Sequence, residues 1–210
     1  MENHIMRKPF VRKKADDRRS EIINEAYEIL ISKGYSELTL RGVSKKVCVS
    51  LSTVQYHFPS REKLIEALIK ERISLYINDY KNIESECRSE NKKKIFLFII
   101  RYLVDDCTKM ETCVFFTQMW ALSFIKKEYK YFVKSLYDHH TDYLKDSLLN
   151  AFPSMDESIA ADKVMAASCM IEGSLVHFGY EIRSDEETVK HKENLYKELL
   201  KLFDMNEFNL

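Results

Sequence analysis

Glycine and proline are scarce in this chain, four and three among 210 residues. Strand-and-turn architectures need these residues at their tight turns, whereas helices joined by short connections need few. No stretch alternates β-branched and polar residues at the two-residue period of a half-buried strand. A β-rich fold is thereby excluded, and an all-α fold is expected. The five cysteines (Cys48, Cys87, Cys107, Cys113 and Cys169) are odd in number and show no C-x-x-C or zinc-type spacing. That pattern excludes a disulfide framework and a zinc site, and predicts small buried apolar residues in a reducing compartment. A long apolar run is missing as well. The longest candidate, residues 164–180, is interrupted by Glu172 and His177, so a buried helix is expected rather than a membrane span. The N-terminus is basic and polar with no apolar core, which predicts no secretory leader and a cytoplasmic protein.

Net charge is also absent, but the average hides a split. Residues 1–72 hold 15 Lys and Arg against 10 Asp and Glu, while residues 73–210 hold 18 against 23. A basic third on an acidic remainder suggests a polyanionic partner for one end only.

What is present is helical periodicity, punctuated by capping residues. Residues 1–14 carry Arg7, Lys8, Arg12, Lys13 and Lys14 with no helical pattern and are expected to form a flexible basic arm. A first helix is predicted from Asp16 or Asp17 to Gly34, with Ile23, Tyr27, Leu30 and Ile31 inward. Thr39 can cap a short second helix and Ser50 a short third one, in which Val54 and Phe58 point inward. Pro59 ends the third, and Ser60 caps a long fourth with Leu64, Ile65, Leu68, Ile69, Ile73 and Tyr76 along one stripe. Further helices are predicted from Ile95 onward, over 113–125, 128–151 and 158–182, and from Asp185 or Glu186 to Phe203. The expected organisation is an arm (1–14), a three-helix helix-turn-helix domain (15–60), a connecting helix (61–84) and a helical bundle (85–210).

Residues 39–58 have the parts of a helix-turn-helix: a supporting helix, a tight break at 48–50 and a short helix whose outer face is polar. With Val54 and Phe58 inward, Leu51, Ser52, Thr53, Gln55 and Tyr56 face outward. Glutamine can bond bidentately to an adenine edge, and hydroxyl and imidazole groups can donate to phosphate oxygens. His57 suits either a phosphate contact or packing against the first helix.

The stretch from Ser20 to Leu68 resembles the DNA-binding domain of the TetR family of bacterial regulators. The resemblance is carried by Thr39, by Val49-Ser50, and by the run Thr53-Val54-Gln55-Tyr56-His57-Phe58-Pro59-Ser60-Arg61-Glu62-Lys63-Leu64. The family typically shows T-L-Y-x-H-F-x-S-K-E-x-L there. Three departures stand out: Cys48 where the family favours glycine, Gln55 for a common tyrosine, and Arg61 for lysine. Carried over by position, the resemblance implies DNA-backbone contacts from Thr39, Arg41, Ser50, Thr53, Tyr56, His57 and Arg61. It implies base contacts from Leu51, Ser52 and Gln55. It further implies a homodimer on a near-palindromic operator in double-stranded DNA, held together by the last long helices, and a ligand-responsive repressor. Control by a partner protein, or activation without a small-molecule inducer, is the alternative.

The C-terminal part is less specific. Residues 164–178 are apolar on nearly every side, which predicts a helix covered on two faces. The second cover is either a twin subunit or the rest of a monomeric bundle. The aromatic segment 113–125 suits plain core or a ligand cavity. Phe116, Gln118, Met119, Trp120, Phe124 and His177 are the candidate contacts, and the lack of charge across 113–125 predicts a small apolar or weakly polar ligand. Arg101, Gln118, Glu172 and His177 are polar residues among apolar neighbours, each expected to be satisfied locally. No enzyme is expected, because G-x-S-x-G, H-E-x-x-H and glycine-rich phosphate loops are all missing. The adjacent His139 and His140 project about 100° apart on a helix and make a poor metal pair. No cofactor or metal is expected.

Overall fold

A computed structural model describes residues 15–88, 90–180 and 184–205. The expected basic arm and the expected helix end at Ile182 lie outside these residues. Among the described residues the chain consists of α-helices and one 3-10 turn, with no strand. In order these are α1 (Ala15–Lys33), the 3-10 turn (Tyr35–Glu37), α2 (Leu40–Lys46), α3 (Leu51–His57), α4 (Arg61–Glu86) and α5 (Lys92–Asp106). They continue with α6 (Met110–Ile125), α7 (Lys127–Ala151), α8 (Glu157–Tyr180) and α9 (Asp185–Leu202).

The helix starts follow from side chains that accept otherwise unpaired N–H groups. Asn91 Oδ1 accepts from the Lys94 amide at 2.9 Å, and Asp156 Oδ1 from that of Ser158 at 2.8 Å. Ser184 and Glu187 form a reciprocal capping box at the start of α9. No described helix is long and apolar enough to cross a membrane.

The chain divides into two compact units, one ending at Leu68 and the other beginning at Ile69, both boundaries falling in the sequence of α4. In the first, α1 packs on α2 and on the 3-10 turn, and α2 on α3. Ile22, Ala26, Leu30, Leu38, Val43 and Val54 are completely buried. Val54 and Phe58 both point inward, as their spacing required.

In the second unit α6, α7 and α8 pack on one another, while α5 packs on α7 and α9. On α5, Ile95, Phe96, Ile99 and Leu103 are buried, whereas Phe98 is exposed. Phe96 meets Phe203 edge to face, with ring centroids 4.9 Å apart. Arg101 is satisfied locally: it pairs with Glu193 of α9 and lies over the Tyr196 ring.

Helix α8 is not covered all round. Ala160, Val164, Ala167, Ile171, Leu175 and Phe178 are buried, whereas Met165 is 59% and Val176 46% exposed. Cys169 and Gly173 are exposed between them, so one apolar stripe at helical spacing faces outward. Buried cysteine holds only for Cys107 and Cys113; Cys87 is half-buried, and Cys48 and Cys169 are exposed. The expectation of five buried thiols is corrected accordingly.

Candidate functional site

The first unit presents a short helix on a rigid footing. Thr39 Oγ1 accepts from the Gly42 amide at 3.0 Å, and Ser50 Oγ from the Thr53 amide at 3.1 Å, fixing the starts of α2 and α3. The turn between them closes α2 with a Schellman motif: the Cys48 amide donates to Lys45 O at 3.3 Å and the Val49 amide to Ser44 O at 3.0 Å. Cys48 therefore occupies the position that glycine usually takes, at φ 56°. A side chain in that left-handed region costs about 1–2 kcal/mol. Cys48→Gly is expected to raise stability by roughly 1 kcal/mol or less, since glycine's larger unfolded-state freedom offsets part of the relief. Cys48→Val should lose at least as much, and urea unfolding of the three proteins checks both.

On α3, Gln55 is exposed and Tyr56 is 84% exposed, while Val54 and Phe58 anchor the inner face. Ser52 and Arg41 are exposed, and Leu51, Thr53 and His57 are half-buried. His57 packs its ring edge-on to Tyr56, at 5.3 Å between centroids. The Ser50 hydroxyl lies 2.8 Å from both Ser52 Oγ and Thr53 Oγ1, so one small polar network runs along the start of the helix. Arg61 is differently employed. Its guanidinium donates to the Tyr35 hydroxyl at 2.8 Å and stacks over that ring at 4.2 Å, tying the start of α4 to the 3-10 turn.

The second unit contains a cavity lined by α4, α5, α6, α7 and α8. Its volume is about 60 Å³, several times the ~10–15 Å³ that one water molecule needs. Its walls are apolar and aromatic, including Ile73, Ile77, Leu136 and Leu175 with Tyr76, Tyr80 and Phe116. The polar groups among them are tightly organised. The Tyr76 hydroxyl donates to Asp106 Oδ2 at 2.6 Å, and Thr112 Oγ1 to the same oxygen at 3.2 Å. Lys109 Nζ pairs with the other oxygen at 2.9 Å. Tyr80 Oη and His140 Nδ1 are 2.8 Å apart. Trp120 Nε1 donates to the Tyr137 hydroxyl at 2.6 Å, and Tyr137 is hydrogen-bonded to Glu172.

Loss of solvent sets the charge states. It pushes the Glu172 carboxyl up to about 7, against a smaller opposing effect of the Tyr137 hydrogen bond. It pushes His140 down to about 4, and the Cys107 thiol up to about 12. His140 is thus neutral and Cys107 protonated near pH 7.

A family model described as "Bacterial regulatory proteins, tetR family" matches residues 22–68. Residues 22–68 are thus similar to the N-terminal segment of that family. Among solved structures, a TetR transcription regulator from Haloarcula marismortui superposes with a TM-score of 0.74 at 14% identity, covering 90% of this chain and 97% of that one. A transcriptional regulator from Saccharomonospora viridis, solved with choline, gives 0.67 at 15% identity over 87% and 96%. A TetR-family protein from Mesorhizobium loti gives 0.70 at 17% identity over 91% and 98%. No curated protein sequence matches. At these identities the likeness is one of fold: the chain has the all-α architecture of TetR-family regulators.

Within that fold the sequence expectations separate. The structure brings Leu51, Ser52, Thr53, Gln55, Tyr56 and His57 together on α3, with Ser50 as its cap; Thr39 and Arg41 sit at the start of α2. Of the six candidate ligand contacts only Phe116 lines the cavity. Trp120 stands behind it, 6.2 Å from Phe116 between ring centroids and bonded to Tyr137. Met119 is buried and Gln118 half-buried without lining the cavity, whereas Phe124 is 89% exposed and His177 is exposed. Sequence reasoning missed Tyr76, Tyr80, Asp106, Tyr137 and His140, because they come from α4, α5 and α7 and converge only in the folded unit. The expectation of a charge-free pocket rested on segment 113–125 alone; α5 and α8 bring Asp106 and Glu172 to the cavity.

Proposed function

We propose that the protein is a homodimeric TetR-family repressor that occupies a near-palindromic operator and releases it when a small, largely apolar molecule enters the cavity. The observation that carries this reading is α3, a doubly anchored helix with a capped start and an outward face of Ser52, Gln55 and Tyr56. Leu51, Ser52 and Gln55 read base edges in the major groove. Thr39, Arg41, Ser50, Thr53, Tyr56 and His57 hold the phosphate backbone, with Arg61 supporting them through Tyr35 rather than reaching DNA itself. The exposed stripe Met165, Cys169, Gly173 and Val176 is the dimer face, since an apolar helix stripe of this kind calls for a partner. The site of action is the cytoplasm, where the operator is.

Ligand and DNA are linked through α4. Ile73, Tyr76, Ile77 and Tyr80 of that helix line the cavity, and its first two turns belong to the DNA-binding unit. A ligand that prefers one setting of α4 shifts the population toward it, and operator DNA must lower ligand affinity by the same factor. A Saccharomonospora viridis regulator of similar fold was solved in complex with choline, which supports a small-molecule ligand.

The test is capture of sheared DNA from the source genome by the purified protein, followed by footprinting of the enriched fragments. One or a few near-palindromic sites are expected, with half-sites about 34–36 Å or a multiple apart. A ligand found by screening should change Trp120 emission saturably and release the operator over the same concentration range, because Trp120 is coupled to the cavity through Tyr137. Retention of all DNA alike, or release with no change in Trp120 emission, would count against the repressor and the cavity readings respectively.

A further inference from the structure

We propose that the cavity takes a small organic monocation, an amine or quaternary ammonium carrying apolar groups, with Glu172 as its counter-ion and the α4 and α7 tyrosines among its walls. The inference rests on the reading of this cavity as the ligand site and specifies the ligand's charge.

Two carboxyl groups line the cavity, and they differ in how they are paired. Asp106 is complete: Lys109 neutralises it, and Tyr76 and Thr112 donate to it. Glu172 has only the Tyr137 hydroxyl, and no cation among the described residues acts on it. Half-buried among Ile171, Leu175 and Leu136, an ionised carboxylate without a cation is unfavourable. That explains why its proton is held up to about 7. A cation entering the cavity supplies the missing partner, and it meets a carboxylate that folding has already stripped of part of its water.

The walls fit the same ligand. Tyr80 has its hydroxyl engaged with His140, so its contribution to an occupant is aromatic ring surface, which attracts cations; the Tyr76 ring already carries the Arg72 guanidinium at 5.7 Å. The aliphatic lining suits the apolar substituents. No Lys or Arg is among the lining residues, Lys109 is committed to Asp106 and His140 is neutral, so the lining itself gives an anion little counter-charge. A neutral ligand fills the space but leaves Glu172 without its partner.

The titratable groups that line the cavity with Glu172 are Tyr137, His139 and His140 from α7, Asp106 from α5 and Cys107 just after it, and Tyr76 and Tyr80 from α4. The folded-state pKa of Glu172 is raised, so in the empty protein its ionisation costs stability as pH rises from about 4.5 to about 7. Binding of a permanent cation runs the other way, strengthening as Glu172 ionises. Between pH 6 and pH 8 the affinity should rise by roughly tenfold.

The experiment compares phenyltrimethylammonium with its uncharged isostere tert-butylbenzene on the full chain, by calorimetry and Trp120 emission. At pH 8 the cation is expected to bind at least about tenfold tighter. Glu172→Gln should abolish both that preference and the pH slope while raising the thermal midpoint at pH 8. His139→Gln should keep both. Equal binding of the two probes, or a preference that survives Glu172→Gln, overturns the proposal. The wild-type pH slope tests it without any variant, and a flat slope overturns it too. Operator release is scored separately. A cation that binds as described yet leaves DNA bound overturns the regulatory reading alone. If tert-butylbenzene binds and releases DNA as well as the cation does, the charge assignment alone is overturned.

Discussion

Aspartate at both Met165 and Val176 is expected to leave a folded monomer that no longer holds its operator. These residues lie on the outward stripe of α8, 59% and 46% exposed, so in one protomer the new carboxylates stay in water and cost the fold little. In the proposed dimer the same four carboxylates are brought together and desolvated, at several kcal/mol. Losing the second head removes the bivalent gain, and operator affinity should fall by about 10²–10⁴. Ala167→Asp and Leu175→Asp are the contrasting pair. Both positions are buried inside the protomer, at 0% and 3% exposure, so an unpaired carboxylate there should prevent folding rather than assembly. Sedimentation and circular dichroism on the four proteins separate the two outcomes. A stable dimer of the Met165→Asp, Val176→Asp protein would place the interface elsewhere.

Gln55→Ala is expected to relax base preference at one position in each half-site, by roughly 1–3 kcal/mol, and to leave binding to other positions unchanged. Gln55 is exposed on α3 between the buried anchors Val54 and Phe58, so truncation removes a reaching group without disturbing the core. Tyr56→Phe, by contrast, removes a hydroxyl assigned to phosphate and should weaken all sequences alike. Arg61→Ala should act through the fold. It breaks the 2.8 Å bond to Tyr35 and the stacking over that ring, so a lower melting temperature is expected before any change in selectivity. Competition binding against operators substituted one base pair at a time reads all three. An unchanged preference profile for Gln55→Ala would move the base-reading face away from this residue.

The DNA-binding unit was legible because its determinants are local. Thr39, Ser50 and Ser60 each bond an amide within three residues. Pro59 follows the break after α3, and the spacing of Val54 and Phe58 sets its inner face. The departure at Cys48 was legible as a residue other than glycine in the turn, and the structure shows that it keeps the left-handed backbone. The bond of Arg61 to Tyr35 was not legible, because that partner lies 26 residues away and neither the position nor the charge of Arg61 discloses a phenol beside it.

The C-terminal unit shows where such reading stops. Its helices were all expected within a few residues, because apolar periodicity and capping are properties of short windows of chain. Which residues surround the cavity was not, and Phe124 and His177 stand at the surface while Tyr80 and His140 meet across 60 residues of chain. An aromatic segment states how much apolar surface must be covered, not by what. By itself, the sequence determined an all-α chain, the extent of its helices and the polar outer face of α3. Only the tertiary structure decided that Asp106 is neutralised and Glu172 is not, because a carboxyl group's charge depends on the solvent and partners left to it after distant helices have packed.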